Sequence, residues 1–207
     1  MRSPDEDDWK KPKRGLMYLK GTMHMKLNIT VDILSTITWY VDVSYGVDYD
    51  CKGHTGMMTT LGAGACMSMS KAQKLNTRSS TESELVGVHD ALPDILWGKY
   101  FLEAQGHKID HNILLQDNKS TILLATNEKM SSSKKTKHIR HRFFKIKDRV
   151  ESGDVEIKYE LTGSMWCDIL TKAKQGSIFS SVDISSVSSS CFGSRRGCVR
   201  RRSASSS

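Results

Sequence analysis

The stretch Thr38–Trp39–Tyr40–Val41–Asp42–Val43–Ser44–Tyr45 constrains this chain more than any other. Apart from Asp42, its residues are β-branched, aromatic or small and polar, the types that suit a pleated, half-buried surface. Alternation sends Trp39, Val41 and Val43 to one face and Tyr40, Asp42 and Ser44 to the other. Asp42 does not fit that pattern. A carboxylate on a buried sheet is costly unless it is paired or coordinated. The strand therefore either lies at a wet edge or brings Asp42 to other groups.

The rest of the chain supplies the other groups. A strand over 36–46 is followed by Met57–Leu61, a Gly62–Ala63–Gly64 turn and Met67–Ser68–Met69–Ser70, which alternates with period 2. Three sequential antiparallel strands are expected. Lys71–Ser80 reads as a polar, basic loop. Ser79-x-x-Glu82 and Thr81-x-x-Glu84 both have capping-box spacing, and Leu85, Val88, Leu92 and Leu96 follow at helical spacing towards Leu102. Pro93 is expected to kink or divide that helix. Asn112–Gln116 reads as an interior fourth strand, and Thr121–Ala125 as a short helix after it. A third helical region begins at Ser131 and ends at Gly153. Val155–Tyr159 alternates as a fifth strand, and Ser164 is placed to cap a last helix over 165–173. The order of elements predicts an α/β fold with a mixed five-stranded sheet. Before it, Asp5–Asp8 can open a helix that Gly21–Thr22 would end, with Pro12 tolerable only near its first turn. After Gly176 the chain turns Ser- and Arg-rich without periodicity, and 177–207 reads as a disordered basic tail.

A net charge of +8 favours a polyanionic partner, nucleic acid first. The tail does not account for all of it, because residues 134–149 hold eight Lys or Arg against one acid, Asp148. Five scattered cysteines, at 51, 66, 167, 191 and 198, form neither a Cys-x-x-Cys pair nor a disulfide framework and point to a reducing compartment. No run reaches the roughly 18 apolar residues of a membrane span.

Four acids fall where elements meet: Asp42 in the first strand, Glu84 early in the long helix, Asp117 after the fourth strand and Asp168 in the last helix. With strands one and four adjacent, Asp42 and Asp117 lie side by side, flanked by Glu84 and Asp168. Converging carboxylates repel unless a cation is bound, and magnesium, which takes oxygen ligands, is the natural candidate. Each of three also has a simpler reading. Glu84 can be the box partner of Thr81, Asp117 an N-cap, and Asp168 an acid that suits a first helical turn.

A series of motifs in fixed order carries a resemblance. Tyr40–Val41–Asp42–Val43–Ser44–Tyr45 is followed by Lys52–Gly53–His54–Thr55–Gly56 and by Asn76–Thr77–Arg78–Ser79–Ser80–Thr81–Glu82–Ser83–Glu84–Leu85. Gln116–Asp117–Asn118–Lys119–Ser120, Lys135–Thr136–Lys137–His138–Ile139 and Cys167–Asp168–Ile169–Leu170–Thr171–Lys172 complete it. Over about 36–176 the chain resembles the ribonuclease H domain of Ty1/copia-type retrotransposon polyproteins. Residues 5–22 resemble the segment joining that domain to the reverse transcriptase. The resemblance implies a ribonuclease H-like fold with strand order 3-2-1-4-5. It divides the chain into a connection remnant, 1–35, the domain, 36–176, and the tail, 177–207. It makes Asp42, Glu84, Asp117 and Asp168 catalytic ligands of two Mg²⁺ ions, with Mn²⁺ as a substitute. Glu84 is preferred to Glu82 because the family's glutamate is followed by an apolar residue.

The resemblance also implies a substrate, the RNA strand of an RNA–DNA hybrid, and a partner, the reverse transcriptase domain of the parent polyprotein, in an intracellular setting. The expected phosphate contacts are Lys71, Lys74 and Arg78 before the long helix, and Lys134, Lys135, Lys137, His138, Arg142 and Lys145 on the basic helix. The chain departs from the family in its tail after 176, which is unlike a family ending, and in three further ways. It has no Tyr-x-Asp-Asp of a polymerase core, it reads Thr171–Lys172–Ala173 where the family has Thr-Lys-Pro, and no histidine shortly precedes Asp168. A second reading stays open, a non-catalytic nucleic-acid-binding remnant of a decayed element. Magnesium-dependent cleavage separates the two.

Overall fold

The structure, a computed structural model, describes residues 5–46, 52–126 and 137–172, the side chains of 137–140 aside. The expected tail, 177–207, lies outside the described residues, as do Lys134 and Lys135. Five strands form one sheet: β1 Thr36–Ser44, β2 His54–Thr60, β3 Met67–Ala72, β4 His111–Gln116 and β5 Glu156–Tyr159. Their spatial order is β3-β2-β1-β4-β5, antiparallel on the β3 side of β1 and parallel on the β5 side. A separate two-residue ladder joins Thr30–Val31 to Gly62–Ala63, so the expected turn is partly paired. β3 runs two residues past Ser70 and takes Lys71 into the sheet edge.

β1 is the central strand and is covered on both faces. On one face Trp39, Val41 and Ile37 join Met57, Leu114, Leu85, Val88, Leu92 and Ile95 in the main core. The last four come from α2, Ser80–Ala104, which lies along the sheet. Two glycines on α2 let it come close: a Cβ at Gly87 would run into Val43, and one at Gly98 would lie 2.7 Å from the Trp39 ring. They are eleven residues apart, about three helical turns, and so lie on the same face. α2 is continuous through Pro93. Burial of Val88, Ala91, Leu92 and Ile95 on both sides of the proline outweighs the roughly 3 kcal/mol that an interior proline costs a helix. α4, Lys137–Glu151, adds Phe143 and Ile146 to this core, and Gly153, at φ +75°, ends that segment.

The other face of β1 carries Tyr40 into a smaller core with Met58, Met165 and Cys167. Tyr40 stacks on Trp166 with centroids 4.9 Å apart. The chain end differs here from expectation. Among the described residues, the helix expected over 165–173 and capped by Ser164 does not form. A 3-10 turn at Thr162–Ser164 is followed by a buried run, and only Asp168–Thr171 (α5) is helical. Met165 is extended, at φ -77° and ψ 99°, and its burial with Cys167 against the sheet accompanies that break in the helix.

The N-terminal helix α1, Glu6–Gly21, ends where expected, yet it contains Pro12 well beyond its first turn and buries none of its residues. An Asp5/Asp8 capping box and the Lys10–Asp7 and Lys11–Asp8 pairs support it locally. A short helix, α3 Lys119–Thr126, follows β4.

Candidate metal centre

β1 and β4 run parallel, with Tyr40 opposite Leu115. Two residues beyond that pair lie Asp42, within β1, and Asp117, just past the end of β4. Glu84 reaches the same point from the first turns of α2. Carboxylate oxygens of Asp42, Glu84 and Asp117 all lie within 4.8 Å of one another. Asp42 is 2% exposed and Glu84 7%.

None of the three acids is a helix cap. Ser79 is the N-cap of α2: its Oγ accepts from the Glu82 N–H at 3.2 Å, while Glu82 Oε2 accepts from the Arg78 N–H at 3.0 Å. Glu82 thus serves the cap and Glu84 faces the cluster. After β4, Asn118 rather than Asp117 caps, with Oδ1 accepting from the N–H groups of Ser120 and Thr121 at 3.0 and 3.2 Å.

Asp168 lies outside the group of three. Asp168 is buried, and its carboxylate accepts from the Lys172 ammonium one helical turn on. The same ammonium is 3.5 Å from Asp42 Oδ2, to which Thr171 Oγ1 also donates. Asp168 is therefore linked to Asp42 through Lys172. α5 can sit this close because Gly56, the cross-strand partner of Asp42, has no side chain.

Two further residues hold the acids, and sequence reasoning did not single them out. Gln116 is fully buried and donates through Nε2 to Glu84 Oε2 at 2.8 Å, while its Oε1 accepts from the Asp117 N–H at 3.3 Å. Thr162 Oγ1 donates to Asp117 Oδ2 at 2.9 Å. A glutamine closing an apolar strand just before an acid is the only sequence signal for the first. The second depends on a 3-10 turn that has no clear signature.

Burial disfavours the charged forms here. It pushes the Glu84 carboxyl up to about 8; the Gln116 hydrogen bond opposes this, and the charges of Asp42 and Asp117 add to it. Burial also raises Asp42, against the Thr171 hydrogen bond and the Lys172 charge. Cys167, buried beside these acids, has its thiol pushed well up by burial, so it is a packing residue and not a nucleophile. Three crowded carboxylates make a donor set that suits a hard divalent cation, because oxygen is the only ligand type they offer.

Of the expected phosphate contacts, Lys71, Lys74, Arg78 and Lys145 are exposed and Arg142 is half-buried. Lys137 and His138 lie in α4, but their side chains fall outside the described residues, as do Lys134 and Lys135 entirely. No helix among the described residues is long and apolar enough to cross a membrane.

No protein-family model matches the chain. Its sequence is 28% identical over 179 residues to the retrovirus-related Pol polyprotein from transposon TNT 1-94 of Nicotiana tabacum, covering 83% of this chain and 13% of that one. It is 29% identical over 174 residues to the corresponding polyprotein from transposon RE2 of Arabidopsis thaliana, covering 83% and 12%. The chain spans about an eighth of the length of these curated relatives. Its fold matches LC11-RNase H1, isolated from compost, with a TM-score of 0.50 at 13% identity over 66% of this chain and 92% of that one. The chain is thus similar in sequence to retrovirus-related Pol polyproteins of plant transposons, and it sets an acidic triad, Asp42, Glu84 and Asp117, in a ribonuclease H-like fold.

Proposed function

We propose that this chain is a metal-dependent endoribonuclease that hydrolyses the RNA strand of RNA–DNA hybrids during retrotransposon reverse transcription. The observation that carries the reading is the convergence of the Asp42, Glu84 and Asp117 carboxylates within 4.8 Å beside two adjacent parallel strands. Asp42, Glu84 and Asp117 would hold Mg²⁺, with Asp168 completing a two-ion centre once its contact with Lys172 is released. Bound there, two such ions supply an activated water and stabilise the leaving oxygen of a phosphodiester.

The chain's own residues prepare that centre. Asp42 is fixed by a strand paired on both sides. Gln116 aims Glu84 and steadies the Asp117 backbone, and Thr162 holds the Asp117 carboxylate. Burial favours the protonated form of Glu84 in the metal-free chain, and a bound cation would favour its ionised form. The exposed Lys71, Lys74, Arg78 and Lys145 are suited to sequence-independent phosphate contacts. Lys137, His138 and Arg142 on α4 would extend that surface, and Lys134 and Lys135 precede them in the sequence. Choice of the RNA strand would rest on its 2′-hydroxyls.

We assign 36–176 to the nuclease unit, 1–35 to the connection and 177–207 to a tail. In support of the first boundary, α1 leaves Trp9, Leu16, Met17 and Leu19 at least 60% exposed, as expected of a segment that packs on a reverse transcriptase domain. The test is cleavage of a labelled RNA–DNA hybrid with and without MgCl2, beside Asp42→Asn. Magnesium-dependent cutting that the variant loses is the expected result. Equal cutting by both proteins, or none by the parent chain, would sink the enzyme and favour a binding module.

A further inference from the structure

Lys172 reaches the acids from the solvent side. Its side chain is 44% exposed, whereas those of Asp42 and Asp168 are 2% and 7% exposed. Its ammonium contacts Asp168 Oδ1 and lies 3.5 Å from Asp42 Oδ2. The lysine is anchored at the end of α5, where its N–H donates to the Asp168 carbonyl at 3.0 Å. Thr171, next to it, donates to the same Asp42 oxygen. The last turn of the described chain thus brings one hydroxyl and one positive charge onto an aspartate that Asp168 and Asp117 also face.

We infer that Lys172 is a built-in counter-cation, which joins Asp42 to Asp168 while the centre holds no metal and competes with a divalent ion for those two carboxylates. The inference rests on the metal-centre reading above. An ammonium and a divalent ion sharing two buried carboxylates repel each other at a few ångströms, so occupation by one weakens the other, and the coupling is reciprocal. A lysine suits this role better than an arginine would. Its compact charge on a flexible stem can withdraw into water without moving α5. The ammonium would also raise the concentration of Mg²⁺ needed to fill the centre, which makes Lys172 a determinant of metal affinity as well as of fold.

The test uses the full chain, stripped with EDTA and titrated calorimetrically with MgCl2 and with MnCl2. Lys172→Gln is expected to bind both ions about ten-fold more tightly than the parent chain, about 1.4 kcal/mol. Lys172→Arg, which keeps the charge, is expected to stay near the parent. In EDTA, Lys172→Gln should melt below the parent, and it should gain more in Tm on saturation with MgCl2. Equal or weaker binding by Lys172→Gln overturns the inference while leaving the centre standing. Absence of binding by every protein removes the centre and the inference with it. If Lys172→Gln is unfolded in EDTA, the same titration is followed by circular dichroism. Folding below the parent's binding midpoint supports the competition, and failure to fold at any metal concentration overturns it.

Discussion

Asp42 stands directly across the antiparallel β1–β2 ladder from Gly56, and α5 rests on that glycine. A Cβ there would lie 2.7 Å from Thr171 Cγ2 and 2.9 Å from Leu170 Cβ, with the Cys167 carbonyl oxygen at 3.0 Å. The aspartate and the helix that carries Asp168, Thr171 and Lys172 are therefore positioned by the same missing side chain. Gly56→Ala must push α5 off the sheet. The expected cost is about 1–3 kcal/mol in urea unfolding, as for overpacking of a dense core. Metal affinity measured by calorimetry should fall with it. A variant as stable as its parent would show that α5 is not seated on the glycine.

Glu84 makes the metal-free chain pH-dependent. Burial raises its carboxyl to about 8, whereas an unfolded glutamate titrates near 4.3. Between these values the folded chain keeps a proton that the unfolded chain has lost. Stability therefore falls as pH rises through that window and levels off above it. Glu84→Gln stays neutral. Its gain over the parent should be small near pH 4.5 and grow to a few kcal/mol by pH 8. Thermal melts in EDTA at pH 5, 6.5 and 8 check this. A gain that does not change with pH would mean that Glu84 is not held protonated by its surroundings.

The first three strands were legible from period-2 alternation and short turns, the full strand order was implied by the resemblance, and the Asp42 stretch admits little besides a strand. The acids were legible as candidates, but capping spacing explained three of them equally well. Only the structure separates the roles: Ser79 with Glu82 and Asn118 take the caps, which leaves Glu84 and Asp117 for the cluster. The chain after β5 was the least legible part. Its course is set by burial of Met165 and Cys167 and stacking of Trp166 on Tyr40, long-range contacts that leave no local period. Gln116 escaped notice for a related reason: it reads as the polar end of a strand until its fully buried amide is seen to bridge Glu84 and Asp117.

Trp39 and Asn112 supply a prediction about fold rather than site. The buried indole Nε1 donates to Asn112 Oδ1 at 2.8 Å, and Asn112 Nδ2 donates to the Asp154 carbonyl at 2.9 Å. One amide thus ties β1, β4 and the approach to β5 together. Asn112→Leu leaves an indole N–H and a carbonyl buried without these partners, and should cost about 2–4 kcal/mol. Adding Trp39→Phe removes the stranded donor, so the double variant should lose less than the sum of the singles. Additive losses in urea unfolding would show that the two side chains are not energetically coupled. Binding of MgCl2 by the folded single variant should match the parent, because neither residue touches the acids.

The basic residues before α2 allow grip to be separated from chemistry. Lys71, Lys74 and Arg78 are exposed, and Arg78 lies just ahead of the Ser79 cap, less than two turns of helix from Glu84. If they hold phosphates, each one neutralised releases counterions, and affinity for an RNA–DNA hybrid depends steeply on salt. Converting all three to Gln removes charge without burying any group, so stability should change little. The plot of log affinity against log salt should flatten by about one unit for each phosphate no longer neutralised, and binding near 100 mM salt should weaken by ten-fold or more. Cleavage at saturating hybrid should stay close to the parent rate, since the carboxylates and their supports are untouched. A fall in that saturated rate with an unchanged salt slope would place these side chains in the chemistry instead of the grip. An unchanged slope with an unchanged rate would move the phosphate grip to other residues, with α4 the next segment to substitute.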